Sequence, residues 1–89
     1  MELVWTDYMK YRAALRGFDL IKIEDIVRYS PERYFDTQTE RWVVIGHHDK
    51  QLVIIAYQIE QDTVTPITIH PTTRQQIRFR IRIRRYTLE

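Results

Sequence analysis

The chain has no cysteine, only two glycines and three prolines, and no long apolar run. Without cysteine, a disulfide scaffold and a thiolate metal site are both excluded, and the absence suits a reducing cytoplasm. So little glycine and proline leaves no linker, and no internal repeat or low-complexity tract is present. No segment approaches the ~20 apolar residues that span a bilayer, so no membrane association is expected. The opening Met1-Glu2-Leu3-Val4-Trp5-Thr6-Asp7 carries acids where a signal peptide needs lysines, so a targeting segment is not expected. A chain of 89 residues buries roughly 60–65% of the surface it exposes when unfolded. One core is all it can build, and a single domain over residues 1–89 follows.

What is present is a charge split. The net charge of +2 joins two unlike parts. Residues 1–62 hold eight basic and eleven acidic side chains, and residues 63–89 hold six arginines and one acid, Glu89. The six are Arg74, Arg78, Arg80, Arg82, Arg84 and Arg85. An asymmetry of this kind points to a polyanion or to an acidic protein partner.

Two helices open the chain. Thr6 can cap the first, Asp7 suits the positive end of its dipole, and Gly17 can end it in the left-handed conformation. Tyr8, Tyr11 and Leu15 fall at i, i+3 and i+7 and predict its shared face. Asp19 can cap the second helix. Its apolar stripe is Leu20, Ile23, Ile26 and Val27, and Pro31 predicts an end near Tyr29.

The pattern then changes to strands. Arg33 to Asp36 is short and aromatic, and Arg41 to His47 is β-branched and aromatic. Gln51 to Tyr57 is apolar on both faces, as a central strand must be. From Thr63 to His70, alternation places Val64, Pro66, Thr68 and His70 on one side, and Pro66 points to an edge or a bulge. Turns are expected at 37–40, at Asp49-Lys50 and at Gln61-Asp62. The last segment is ambiguous. Ile77, Phe79, Ile81 and Ile83 alternate with Arg78, Arg80, Arg82 and Arg84, which is a strand's period. Thr72 and Thr73, each followed three residues later by glutamine, form a capping-box signature. A helix over about 73–82 is favoured. As a strand, the segment would offer an edge for pairing with a second copy. The predicted architecture is α+β with the order ααββββα, a four-stranded antiparallel meander whose helices cover one face.

Three histidines are candidates for chemistry. His47 and His48 are adjacent on a strand and point to opposite faces, so they do not readily share a metal, and no metal site is expected. His70 lies where the last strand meets the last helix, and histidine exchanges protons near pH 7. The arginines admit three readings: a solvated face, an RNA site, or a site for an acidic protein. In the RNA reading, Arg74, Arg78, Arg82 and Arg85 bind phosphates, and Tyr34, Trp42 and Tyr86 offer rings to unpaired bases. No nucleotide-binding loop, nucleophile elbow or cysteine nucleophile is present, and no cofactor is implied.

Tyr8-x-x-x-Arg12-x-x-x-Arg16-Gly17-Phe18, followed by a helix ending in Ser30-Pro31-Glu32, resembles a small bacterial domain similar to the BrnT and RelE-like toxins. Trp5-Thr6-Asp7, the run from Arg41 to Gly46, and the junction Ile67 to Arg74 are similar to further elements of that pattern. Two departures stand out. The family's helix-1 histidine is Tyr8 here, and its Ser-Ala-Arg-type element is absent.

The resemblance implies the toxin of a type II toxin–antitoxin pair, a cytoplasmic endoribonuclease, ribosome-dependent or free, held inactive by an acidic segment of its antitoxin, with which it would form a hetero-oligomer. Such a metal-independent RNase directs the 2′-hydroxyl at the adjacent phosphate. It needs a proton acceptor, a cation on the phosphorane and a proton donor. His70 is assigned as base or acid, and Arg74 and Arg78 as phosphate clamps, since the guanidinium fork matches two phosphate oxygens. Arg41 and Tyr86 are secondary catalytic candidates. The alternative is a non-catalytic module that binds RNA or protein through the same arginines.

Overall fold

The computed structural model describes residues 1–88. A two-residue strand, β1 (Glu2–Leu3), precedes α1 (Asp7–Arg16). Thr6 caps that helix by accepting the Met9 amide at 3.0 Å, and Gly17 ends it with φ of 74°. α2 (Leu20–Tyr29) starts at Asp19, whose Oδ1 accepts the Ile21 amide at 2.8 Å. The chain continues through β2 (Arg33–Asp36), β3 (Arg41–His48), β4 (Gln51–Glu60) and β5 (Thr63–Pro71). It closes with α3 (Arg74–Arg82) and β6 (Tyr86–Thr87). The ambiguous segment is therefore a helix, capped by Thr73 through the Gln76 amide at 3.1 Å.

The sheet is not the four-stranded antiparallel meander that the strand pattern predicts. It is a six-stranded mixed sheet in the order β1-β5-β4-β3-β2-β6. β1 runs parallel to β5, pairing Glu2 with Thr63 and Leu3 with Val64. β6 runs antiparallel to β2, pairing Tyr86 with Asp36. Strands of two residues are too short to show alternation. Long-range hydrogen bonds set them instead, such as Glu2 N to Asp62 O at 2.9 Å and Thr37 N to Arg85 O at 2.8 Å.

Nor do the helices share one face. α1 and α2 cover one side, burying Met9, Ala13, Ile23, Ile26 and Val27 against Val44, Val53, Ile55, Val64 and Ile69. α3 covers part of the other, where Ile77 and the Tyr86 side chain of edge strand β6 pack on Val43, Ile45 and Ile54. Strands β3 and β4 are apolar on both faces, so both faces need cover. The inward side of α1 also differs from expectation. Met9 and Ala13 are buried, whereas Tyr8, Tyr11 and Leu15 are 55, 63 and 67% exposed. The small Ala13 side chain allows the helix to lie close on the sheet, which the bulky i, i+3, i+7 set does not.

His48 belongs to the α2 side. It is buried, its Nε2 accepts the Asp19 amide at 2.8 Å, and its ring meets Phe18 edge-on at 5.0 Å. It therefore satisfies a helix-start donor across the fold. β5 carries the irregularity that matters most for the site. Tyr57 pairs with Pro66 and Ala56 with Thr68, so Ile67 is an extra residue. Such a bulge shifts the phase of alternation by one. Val64 and Pro66 consequently face the α1–α2 layer together with Ile69, and Thr68 and His70 turn to the α3 side. The single side predicted for Val64, Pro66, Thr68 and His70 is thus split in two.

Candidate nucleic-acid cleft

The α3 side of the sheet is only partly covered. Between α3–β6 and the end of β5 it leaves a cleft of about 450 Å³. Its floor is Val43, Ile54 and Ala56, and its polar rim includes His70, Arg41, Arg80 and Arg85. The bulge at Ile67 brings Thr68 and His70 to this floor beside Ala56 and Ile54, their register partners. Arg41 enters from the start of β3 opposite Asp36.

Helical spacing explains Arg80. It lies three residues after buried Ile77 and so on the inward side of α3, while Arg78 is turned outward. Its Nη1 donates to the Tyr86 hydroxyl at 2.7 Å, and its guanidinium sits 5.5 Å from the centre of that ring. Arg85 approaches the same ring at 5.8 Å. Its Nε and Nη2 each donate to a different oxygen of Asp36 at 3.0 Å. Among the described residues, Asp36 is the one acid lining the cleft, and Arg85 already neutralises it. The remaining charges are the guanidiniums of Arg41 and Arg80.

These surroundings move the titrations. Partial burial lowers the His70 pKa from its ordinary 6.5, and the charges of Arg12, Arg16 and Arg80 lower it further. Neutral imidazole therefore predominates at neutral pH, ready to accept a proton. Burial pushes the Tyr86 phenol up, against the opposing effect of its bond from Arg80, so it stays protonated. Burial also pushes Asp36 up, but hydrogen bonds from Arg85, Gln38 and Thr39 outweigh it, and the net shift is down.

The sequence-predicted residues divide accordingly. His70, Arg41, Arg85 and Tyr86 meet in the cleft. Arg74 lies elsewhere: its Nη1 donates to both carboxylate oxygens of Glu32 at 2.7 Å, and Tyr34 donates to the same carboxylate at 2.9 Å. That trio ties the start of α3 to the approach of β2. Tyr34 is further engaged by Tyr86, stacked at 5.8 Å and 13°. Trp42 is on the opposite face, packed with the α1–α2 core and edge-on to Phe35. It is therefore not positioned to stack a base in this cleft. Arg78 is exposed on α3, and Arg82 borders a separate shallow pocket with Tyr34, Arg84 and Leu88.

Sequence reasoning missed Arg80 and Asp36 as site residues. The position of Arg80 three residues after Ile77 was a usable signal. Asp36 had none, because its partner lies 49 residues away. Among the described residues, no three histidine or acidic side chains group to hold a metal, and no helix is long and apolar enough to cross a membrane. No protein-family model, curated protein or solved structure matches this chain.

Proposed function

We propose that this protein is a metal-independent endoribonuclease of the toxin–antitoxin kind, with the cleft as its scissile-phosphate site. The observation that carries this reading is the company His70 keeps: a proton acceptor shares one cleft with two guanidiniums, Arg41 and Arg80, that no carboxylate among the described residues neutralises. In the proposed reaction, His70 takes the proton of an RNA 2′-hydroxyl as that oxygen attacks the adjacent phosphorus. Arg41 and Arg80 offset the charge that develops on the phosphorane. The bond to the 5′ oxygen breaks, that oxygen takes a proton from water in the open cleft, and the hydroxide left behind takes the proton from His70 to restore the neutral imidazole. The products are a 2′,3′-cyclic phosphate and a 5′-hydroxyl. An acidic antitoxin segment would compete with RNA for the same arginines.

A non-catalytic RNA-binding module is the second reading. It is favoured by Tyr8, which stands at the position of the resembled family's histidine. Tyr8 lies on α1 outside the cleft, and its hydroxyl accepts from Arg12 at 2.9 Å. Induced expression in a bacterial host tests the toxin reading. The expected outcome is growth arrest that disappears in His70→Ala and in Arg41→Ala while the purified variants keep the wild-type circular dichroism spectrum. Arrest that persists in both variants removes the cleft from the account.

A further inference from the structure

The rings predicted to stack bases are mostly committed elsewhere. Tyr34 and Tyr86 stack on each other, and Trp42 packs on the far face. An RNA strand held in the cleft must therefore find its aromatic contacts outside it. Two exposed tyrosines stand on α1, which packs against β5, the strand that ends in His70 and Pro71.

Helix geometry places the α1 side chains in order around its axis. Met9 and Ala13 face the sheet. Arg16 lies three residues from Ala13 and Arg12 three from Met9, so both border the buried side. Tyr8 and Tyr11 lie further out, 55 and 63% exposed. The charges of Arg12 and Arg16 reach His70 from this layer, as the charge of Arg80 does from the other. Cations from both layers thus act on the histidine. The Arg12 guanidinium sits 5.6 Å from the Tyr8 ring centre and donates to its hydroxyl. That contact orients the ring and leaves more than half of the side chain exposed. The one acid of α1, Asp7, is at its first position, in the turn before Arg12.

We infer that a single-stranded RNA passing His70 continues over the end of β5 onto α1, where Arg12 and Arg16 hold phosphates and Tyr8 and Tyr11 stack unpaired bases. Guanidiniums interleaved with exposed rings are the chemistry of single-strand recognition without sequence readout. The surface admits an acidic peptide electrostatically, but two open aromatic rings beside the cations favour bases. This inference rests on the cleft being an RNA site, and it extends that site along the strand.

The test is fluorescence anisotropy with labelled single-stranded RNA of about twelve nucleotides, within the span such surfaces cover, titrated across a salt series. Arg12→Ala/Arg16→Ala should weaken binding and reduce the magnitude of the slope of log K against log salt by about 1.4, or ~0.7 for each phosphate no longer neutralised. Tyr8→Leu/Tyr11→Leu removes two stacking rings and should weaken binding about 30-fold or more, with the salt slope unchanged. Tyr8, Tyr11 and Arg16 are exposed and Arg12 is half-buried, so the variants should stay close to the wild-type melting temperature. If both double variants bind as wild type while Arg41→Ala/Arg80→Ala loses binding, the extension onto α1 is overturned and the cleft reading stands. If wild type binds no RNA even at low salt, both are overturned. If Arg12 and Arg16 are needed for a polyglutamate peptide and not for RNA, the surface serves an acidic protein and the inference fails.

Discussion

Replacing Arg85 with methionine should destabilise the fold far more than its surface location suggests. The substitution removes two charge-assisted hydrogen bonds to Asp36, both 3.0 Å long. The carboxylate left behind is 3% exposed and retains only the amides of Gln38 at 3.0 Å and Thr39 at 3.4 Å. Breaking a buried pair by deleting one partner costs about 3–5 kcal/mol. The Arg85 side chain is 25% exposed, so water enters the vacated space, and the cost falls to about 2–3 kcal/mol. A domain of this size loses about 4–8 °C in Tm per kcal/mol, which gives a drop of about 8–24 °C. Thermal unfolding followed by circular dichroism reads this directly. Asp36→Asn/Arg85→Met should recover at least half of the loss, because the orphaned charge is gone.

Acidification gives a second signature of the same pair. Asp36 titrates below its ordinary 3.8 in the folded protein. The stability it supplies is therefore present above the unfolded value and lost as pH falls through the lower folded one. Arg85→Met should remove this acid sensitivity. A loss under about 1 kcal/mol, as for an ordinary surface pair, would show that Asp36 and Arg85 do not act as a buried pair. So would a double variant no more stable than the single one.

Other substitutions probe other links. Gly46→Ala should cost about 1–3 kcal/mol by overpacking, since its Cβ would meet Ile26 Cγ2 at 2.7 Å; urea unfolding measures it, and combined with Ile26→Ala, which removes both clashing γ carbons, it should cost less than the sum of the two single changes. Thr73→Ala should cost about 1 kcal/mol in the same assay through loss of the α3 cap. For RNA cleavage, the rate should fall as pH drops through a midpoint below 6.5, because protonation removes the His70 acceptor. Arg12→Ala/Arg16→Ala should move that midpoint upward, and a midpoint that stays put detaches those charges from His70.

Local signals in the sequence carried much of this architecture. Thr6, Asp19 and Thr73 cap the helices they precede, because a hydroxyl or carboxylate acts within three residues. The hairpin turns fall where polar pairs interrupt β-branched runs. What depends on distant partners was not legible. β1 and β6 exist only through pairing with β5 and β2. The bulge at Ile67 reverses the facing of Thr68 and His70 without a local marker beyond Pro66. The buried side of α1 follows small, close-packing Ala13 rather than the larger Tyr8–Tyr11–Leu15 set. At the site, His70 and Arg41 were readable as chemistry, but their meeting with Arg80 and Tyr86 required the second layer of the fold. Arg74 was readable as a cation; its commitment to Glu32, 42 residues away, was not.

The chemistry of the new RNA ends reads the reaction at His70 most directly. RNA is incubated with the purified protein in metal chelator, with and without ribosomes, and the new termini are identified by mass spectrometry. The proposed role of His70 predicts 2′,3′-cyclic phosphate and 5′-hydroxyl ends in wild type, and their loss in His70→Gln with RNA binding retained. Cleavage at wild-type rate by His70→Gln, or no cleavage by wild type in either condition, would contradict it.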